Sequence, residues 1–192
     1  MILTGKNIGK KFGKNWIFRS QNFTLETGTS VAITGKNGSG KSTLLQIIAG
    51  FLTPSEGEIE VDGKKIDESE HSAVFVGPYT EIIEEFTLKE FLEFHSTFKK
   101  NVCSIEEMAE SASLPLSKPI ADFSTGMKQR AKLITSFFYE NDIIFMDEPT
   151  SNLDAEGFNW WKKEVLGLKQ QLVILASNDM QEIDICQKQL NL

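Results

Sequence analysis

The sequence predicts an α/β fold built around a mainly parallel sheet. Three runs of apolar and β-branched residues have the length of buried strands, at residues 30–34, 142–146 and 172–176. A helical pattern follows the first run over residues 43–49, and another separates the last two at about residues 155–169. Strands that alternate with long helical crossovers are typical of a parallel sheet, because a tight turn cannot join parallel neighbours.

The part of the chain before residue 33 is predicted to form short strands and turns, as an N-terminal antiparallel β-subdomain. Residues 22–26 alternate between polar and apolar side chains, and residues 26–29 contain a glycine turn. Residues 58–61 alternate in the same way, and the Asp62-Gly63 pair that follows them is typical of a two-residue hairpin turn.

Residues 80 to about 140 are predicted to be mostly helical and to form a subdomain inserted between strands of the α/β core. A short apolar run at residues 72–76 predicts a strand, which stops at Gly77-Pro78. From Thr87 the apolar residues recur with a helical period, and Thr87 with Glu90 gives the pattern of a capping box. We therefore expect one domain over residues 1–192.

The composition is that of an ordinary globular protein with an excess of acidic residues. The 192 residues are 40% hydrophobic and 24% charged, with a formal net charge of −7 and no lysine- or arginine-rich block. A partner bound through a phosphate backbone requires a basic face, so no nucleic-acid partner is expected. Cys103 and Cys186 lie far apart without metal-ligand spacing, which predicts two free thiols in a reducing compartment.

The sequence has no segment typical of membrane insertion or secretion. No apolar run approaches the roughly 18 residues that a membrane helix needs. The first residues lack the long apolar core of a signal peptide. We therefore expect a cytoplasmic protein whose association with a membrane depends on a partner.

The run from residue 35 to residue 43 fits the phosphate-binding pattern GxxxxGK[ST], and it lies between a predicted strand and a predicted helix. Its glycines let successive N–H groups point inward, and the helix start adds the positive end of its dipole. Lys41 is predicted to bind the β- and γ-phosphates, and Ser42 to supply a hydroxyl ligand for Mg²⁺. The predicted nucleotide-binding residues of this loop are Gly35, Lys36, Asn37, Gly38, Ser39, Gly40, Lys41, Ser42 and Thr43.

Two carboxylates, Asp147 and Glu148, stand at the end of the predicted strand that contains residues 142–146. Ligands of a parallel sheet collect at the carboxyl ends of its strands. Asp147 is predicted to hold Mg²⁺, directly or through water. Glu148 is predicted to polarise the water that attacks the γ-phosphorus, because catalysis of this reaction is mostly positioning and charge stabilisation.

In order, these motifs resemble those of the ATP-binding subunits of ATP-binding cassette (ABC) transporters, over essentially the whole chain. Residues 35–43 match the Walker A loop, and residues 143–148 match the Walker B strand. Residues 123–130 (Phe-Ser-Thr-Gly-Met-Lys-Gln-Arg) resemble the family signature, usually written LSGGQ. Residues 149–154 match the D-loop, and residues 176–179 occupy the place of the switch-histidine loop. The resemblance implies a P-loop NTPase core in which the helical subdomain bears the signature.

The resemblance also implies roles for the signature and for one aromatic residue. Ser124 and Gly126 precede a helix, so that a hydroxyl, a small residue and a helix N-terminus together make a second γ-phosphate site. In the family this site acts on the nucleotide of the opposite subunit, so that two ATP molecules are enclosed between two head-to-tail subunits. Phe12 lies where the family keeps an aromatic that stacks on adenine, and the alternative is that it belongs to the core.

The function implied by the resemblance is that of an ATP-binding and ATP-hydrolysing subunit, with ATP and Mg²⁺ as cofactors. It drives transport through a separate integral membrane subunit, and it forms a homodimer or heterodimer of ATPase domains on ATP binding. The membrane partner would hold it on the inner, cytoplasmic face of the cell membrane. The short chain resembles compact exporter-type subunits. Soluble ABC proteins of translation or DNA maintenance are an alternative, but they usually carry two cassettes or long coiled-coil insertions.

Two positions depart from the family pattern and concern the rate of hydrolysis. The loop that normally begins with glutamine has Pro78 there, or Tyr79 if one gap is allowed, and neither side chain replaces an amide. Asn178, a predicted catalytic residue with Glu148, stands where the switch histidine is expected and carries no positive charge. Loss of one preorganised donor can lower the rate about 10²-fold or more. The alternative function is therefore a hydrolysis-impaired module that binds ATP as a structural or regulatory signal, and Glu148 argues against it.

Overall fold

The structure, a computed structural model, describes residues 1–65 and 71–192. Its strands in chain order are β1 (Ile2–Phe12), β2 (Asn15–Glu26), β3 (Ser30–Thr34), β4 (Glu56–Val61), β5 (Lys64–Lys65), β6 (Ala73–Val76), β7 (Ile143–Asp147), β8 (Leu172–Ala176) and β9 (Lys188–Asn191). Its helices are α1 (Lys41–Ile48), α2 (Leu88–Ser96), α3 (Ile105–Ser111), α4 (Thr125–Phe137), α5 (Ala155–Gly167) and α6 (Met180–Ile183), with a 3₁₀ turn at Ile120–Asp122. None of the helices in the described ranges is long and apolar enough to cross a membrane.

The strands form two sheets of different kinds. One sheet is antiparallel, with the strand order β2-β1-β4-β5. The other has the order β6-β7-β8-β3-β9, and all of its neighbouring strands run parallel. The predicted parallel core with an N-terminal antiparallel β-subdomain is therefore confirmed.

The N-terminal strands are longer than the short strands predicted from the sequence. β1 and β2 form one hairpin in which Phe12 pairs with Asn15, and Gly13 adopts a left-handed φ of 59° between them. The register shifts at three places between Gly5 and Lys11. Each shift displaces the alternation of buried and exposed side chains, and this interrupted alternation is why the sequence pattern indicates separate short strands.

The hairpin turn predicted at Asp62-Gly63 is confirmed. Asp62 and Gly63 have positive φ angles of 50° and 76°, and they join β4 to β5 in antiparallel register. A positive φ at both central positions is the requirement of the type I′ turn, which Asp-Gly favours.

The region from residue 80 to residue 140 has a hydrophobic core of its own. The loops between its helices are longer than the sequence predicts. Leu88 of α2, Met108 of α3 and Ile134 of α4 are fully buried in this core. The capping box predicted for α2 is confirmed. Thr87 Oγ1 accepts a hydrogen bond from Glu90 N, and the Glu90 carboxylate accepts one from Thr87 N.

The central strands of the parallel sheet are buried on both faces, as is usual for such sheets. Every residue of β7 and β8 is buried, and α1 contributes its apolar face to the same core as β3. β8 lies between β7 and β3. Because parallel strands end at the same edge, the loops that follow β3, β7 and β8 meet there. This strand order places the predicted site residues in one region.

Candidate functional site

A cavity of about 280 Å³ opens at the edge of the parallel sheet where β3, β7 and β8 end. Four segments of the chain line it: one residue of β2, the glycine loop after β3 with the start of α1, the residue after β7, and the loop after β8. The lining residues are Ile17, Asn37, Gly38, Gly40, Lys41, Ser42, Thr43, Glu148 and Asn178. The structure thus brings most of the predicted phosphate loop together with both predicted catalytic residues.

The glycine loop has backbone angles that are unfavourable for residues other than glycine. Gly38 and Gly40 have φ angles of 78° and 101°, in the left-handed region that favours glycine. A Cβ atom on Gly40 would also lie 2.5 Å from Ile17 Cγ2. Gly40 is therefore required both by its own φ and by the close approach of β2.

The start of α1 faces the cavity. The helix begins at Lys41, and Gly40 before it provides no side-chain cap, so the first N–H groups lack a side-chain acceptor. The buried Lys41 Nζ donates to Gly35 O at 3.3 Å and to Lys36 O at 3.4 Å, while Ser39 N donates to Lys36 O at 3.0 Å. Backbone N–H groups, a helix N-terminus and an ammonium group together form an anion-binding arrangement.

The Ser42 hydroxyl contacts the carboxylate at the end of β7. Ser42 Oγ donates to Asp147 Oδ1 at 2.9 Å, and Asp147 is only 3% exposed. Burial raises the pKa of Asp147 above its ordinary value, and the hydrogen bond from Ser42 opposes this shift. A buried carboxylate and a hydroxyl in contact are the hard oxygen donors that Mg²⁺ prefers. The two predicted metal ligands therefore fit this ion.

Glu148 is held in an unusual backbone conformation. Its φ is 48°, and its backbone N–H donates to Ala176 O at 2.9 Å. A left-handed conformation costs a residue other than glycine on the order of 1–3 kcal/mol, and such conformations cluster at functional sites. Because of this conformation, the chain turns sharply after the buried Asp147, and the Glu148 side chain lies at the cavity.

The Asn178 side chain is hydrogen-bonded to the glycine loop. Its Nδ2 donates to Asn37 Oδ1, which joins the loop after β8 to the loop after β3. Both side chains are exposed and line the cavity. The predicted donor at this position is therefore near the phosphate loop, and its amide is engaged by a neighbouring asparagine.

Phe12 lies on the β1–β2 hairpin and does not line the cavity. Its side chain is 52% exposed, and Lys10 Nζ lies 5.1 Å from the centre of its ring. Exposure to this extent excludes the alternative that Phe12 belongs to the core. Ile17, on the other strand of the hairpin, lines the cavity instead, and no sequence motif pointed to it.

The signature residues lie at the start of α4, outside the cavity of their own chain. Ser124 Oγ accepts a hydrogen bond from Met127 N at 3.2 Å, so Ser124 is the N-cap of α4. A Cβ atom on Gly126 would lie 2.8 Å from Asn152 O. The signature therefore packs closely against the segment that follows β7, and a small residue is required there.

Pro78 and Tyr79 form a turn after β6 and do not line the cavity. Gly77 N donates to Thr80 Oγ1 at 3.0 Å, and Thr80 N donates to Gly77 O at 3.1 Å. Tyr79 is 86% exposed. This turn supplies no side chain to the site from either position.

Comparison with known proteins agrees with this geometry. A family model described as ABC transporter matches residues 18–151. The chain belongs to the ABC transporter family. NatA of Bacillus subtilis, an ABC transporter ATP-binding protein, is 30% identical over 179 residues, which cover 86% of this chain and 73% of NatA. The cytochrome c biogenesis ATP-binding export protein CcmA of Rhizobium etli is 32% identical over 165 residues, covering 81% and 77%.

A solved structure shares the fold. The dimeric ATP-binding cassette MJ0796, in a post-hydrolysis state bound to ADP and Pi, matches with a TM-score of 0.84 at 23% identity, covering 99% of this chain and 94% of that one. The predictions of family, fold and function are confirmed: this ABC protein is an ATP-binding subunit and an ATPase that powers transport with a separate membrane component.

Proposed function

We propose that the cavity at the edge of the parallel sheet binds Mg-ATP and positions its γ-phosphate for hydrolysis. The observation that carries the proposal is the 2.9 Å contact between Ser42 Oγ and Asp147 Oδ1, with Glu148 next in sequence and lining the same cavity. This contact joins the phosphate loop to the end of β7, which is where a metal between enzyme and phosphates would be held.

Each segment around the cavity has a proposed role in this reaction. The N–H groups of residues 35–43 and Lys41 hold the β- and γ-phosphates, and Ser42 with Asp147 holds the ion. When bound, Mg²⁺ neutralises charge that develops on the phosphate oxygens. Glu148 orients the attacking water. Asn178 donates a hydrogen bond to the γ-phosphate once its amide leaves Asn37. Phe12 stacks on adenine from the neighbouring hairpin.

The proposed hydrolysis is slow in the isolated subunit. Asn178 is neutral, so it stabilises developing negative charge less than a cation does, and its bond to Asn37 must first be broken. The turn at Pro78 offers no amide in place of the family's glutamine. These two positions favour, as a second candidate, a module that clamps ATP as a signal and rarely cleaves it.

The proposed assembly is a pair of ATPase domains on a membrane partner. Ser124 and Gly126 do not line the cavity of their own chain, and in the proposed assembly they complete the nucleotide site of an opposite subunit, in a homodimer or a heterodimer. Residues 1–192 act as one domain on the inner face of the cell membrane. The exposed Tyr79 lies in the turn that the family uses to dock its membrane subunit. The export role in the name of CcmA favours an exporter.

The experiment that tests the proposal uses Glu148→Gln. The substitution keeps the shape of the side chain but removes the carboxylate that orients water, so ATP binds and two subunits close without cleavage. We expect an ATP-dependent dimer by light scattering where wild type stays mostly monomeric. Ser124→Arg in the same background is expected to abolish this dimer. Glu106→Gln, an exposed glutamate of α3, serves as the matched control.

Two outcomes would contradict the proposal. A dimer that forms without ATP, or that survives Ser124→Arg, would exclude the head-to-tail arrangement. A Glu148→Gln variant with the wild-type single-turnover rate would show that Glu148 does not act in cleavage. A wild-type single-turnover rate no higher than that of ATP without protein would instead support the ATP-clamping module.

A further inference from the structure

Glu182 is a buried carboxylate that belongs to none of the motifs found in the sequence. It lies in α6, the short helix that follows Asn178, and its side chain is only 2% exposed. Its Oε1 accepts two hydrogen bonds from Thr150, one from the backbone N–H at 2.9 Å and one from the hydroxyl. Its Oε2 is buried as well.

Thr150 belongs to the segment that carries Glu148. Ser151 N donates to Glu148 O at 3.1 Å, and Leu153 N donates to Thr150 O at 3.0 Å, so residues 148–153 form two successive turns. The left-handed backbone of Glu148 persists only where its surroundings fix it. A bond to Thr150 from outside the segment therefore helps to hold Glu148 in place.

Two other bonds hold the same segment from other directions. Gln129 Nε2 of the signature helix donates to Pro149 O at 2.7 Å, and Glu148 N donates to Ala176 O of β8 at 2.9 Å. The bond from Glu182 differs because it comes from the helix that begins directly after the switch loop. It therefore ties the position of Glu148 to the position of Asn178.

The burial of the Glu182 carboxyl carries a free-energy cost. Burial raises the pKa of the Glu182 carboxyl, which means that the folded state disfavours its charged form. Hydrogen bonds from Ser177 and Thr150 oppose this rise in the pKa, and burial outweighs them. Glu182 and Glu148 also line the same second cavity, of about 200 Å³, together with Asn178. A costly group beside the catalytic residues indicates a role in the reaction.

We propose that Glu182 is a positioning residue that fixes residues 148–153 to the helix after the switch loop and thereby orients Glu148. The proposal rests on the role proposed above for Glu148. Glu182 does not touch the nucleotide or the reacting atoms; it acts through Thr150. The geometry of one acceptor oxygen, rather than the charge of the carboxylate, provides this function.

The test compares three substitutions at one position. Glu182→Ala removes the acceptor, and we expect kcat for ATP hydrolysis to fall at least about 10-fold, with KM changed less than about threefold. Glu182→Asp is one methylene too short to reach both Thr150 donors and is expected to resemble Glu182→Ala. Glu182→Gln keeps an oxygen at the position of Oε1, so we expect it to retain at least about half of the wild-type kcat.

A second measurement reports the contact itself. The Thr150 backbone N–H donates to Glu182, so its hydrogen exchange is expected to be slow in wild type and in Glu182→Gln and fast in Glu182→Ala. Thr150→Val removes only the hydroxyl and is expected to give an intermediate kcat. Glu107→Ala, which removes the capping carboxylate of α3 far from the site, is the control for a general loss of stability.

The possible results separate this proposal from the proposed function. If Glu148→Gln abolishes cleavage while Glu182→Ala keeps the wild-type kcat, the positioning role is overturned and the role of Glu148 stands. If kcat falls equally in Glu182→Gln and Glu182→Ala, or if Glu107→Ala lowers kcat as much, the effect is not that of one acceptor oxygen and the proposal is also overturned. If Glu148→Gln does not lower the rate of cleavage, the proposed function is overturned, and the positioning role that rests on it is overturned too.

Discussion

The phosphate loop and the segment after β7 lie side by side at the cavity, but they are held by different means. In residues 35–43 the shape comes from glycines, and Lys41 bonds to carbonyl groups only five and six residues away. In residues 148–153 the residues with positive φ are Glu148 and Asn152, neither of which favours it as glycine does. Two side chains from distant parts of the chain bond to this segment: Gln129, 20 residues from its acceptor, and Glu182, 32 residues from its donor.

This difference predicts how the shape of each segment responds when a side chain is removed. A locally determined loop tolerates loss of a side chain without a change of shape, because its backbone geometry is its own. A segment held by distant side chains moves when any of those side chains is removed. The following predictions test this contrast, beginning with the largest expected effect.

Lys41→Ala tests whether the phosphate loop is independent of its charged side chain. We expect the affinity for Mg-ATP to fall by about 100-fold or more, because charge-assisted bonds of up to about 3 kcal/mol are lost. The unfolding temperature should change little, because the glycines determine the loop shape. Calorimetry and thermal unfolding measure the two quantities.

Lys36→Ala is the matched control, because Lys36 is exposed and contributes its backbone carbonyl to the loop. It should keep most of the wild-type affinity. Equal affinities in Lys41→Ala and wild type would refute the role of Lys41. A large loss of stability in Lys41→Ala would refute the idea that the loop is locally determined.

Asn178→His tests the bond that joins the loop after β8 to the phosphate loop. The bond from Asn178 to Asn37 is lost, and a residue that can carry positive charge is placed near the γ-phosphate. We expect the single-turnover rate of hydrolysis to rise, by up to about 100-fold, with little change in ATP affinity. Quenched-flow measurement of the cleaved nucleotide gives the rate.

Asn37→Ala separates the two effects, because it frees Asn178 without adding charge. If breaking the bond limits the reaction, Asn37→Ala should also raise the rate. If Asn178→His leaves the rate unchanged or lower, the missing glutamine near Pro78 or the geometry of the site sets the limit instead.

Asp147→Asn tests the cost of the buried carboxylate at the end of β7. Because burial raises the pKa of Asp147, the folded state binds its proton more tightly than the unfolded chain. Deprotonation therefore costs stability, and the cost develops as the pH rises from about 3.9, the value for an unfolded aspartate, through the raised value. At pH 7 the variant should unfold at a higher temperature than wild type.

Thermal unfolding between pH 3 and pH 8, without nucleotide, measures this effect, and the difference should vanish at the acidic end. The Mg²⁺-dependent part of the ATP affinity should fall in the same variant. A lower unfolding temperature for Asp147→Asn at pH 7 would show that the carboxylate stabilises the fold.

Ser104→Ala removes a helix cap whose contacts are all local, and it is expected to have the smallest effect. Ser104 Oγ accepts from Glu107 N, and the Glu107 carboxylate accepts from Ser104 N, in a capping box at the start of α3. We expect the free energy of unfolding to fall by about 1 kcal/mol in urea denaturation. ATP affinity should not change. A loss of affinity would mean that the helical region is coupled to the phosphate loop.

The sequence by itself determined the features whose causes are close together in the chain. The phosphate loop, the capping box at Thr87 and the Asp62-Gly63 turn were predicted where the structure has them, because glycine, threonine and aspartate act on their immediate neighbours. The order of strand and helix patterns along the chain also predicted the parallel sheet, because parallel neighbours need long crossovers between them. In β1 the bulges interrupted the pattern, and the predicted strands were too short.

Only the tertiary structure decided which of these elements meet. The order β7-β8-β3 brings Asp147 to Ser42 and Asn178 to Asn37, and no local pattern states that order. The left-handed backbone of Glu148 and its support by Glu182 depend on bonds between residues far apart in the chain. Such bonds form only after the sheet has assembled, because each donor and acceptor lies on a different element that the buried core positions.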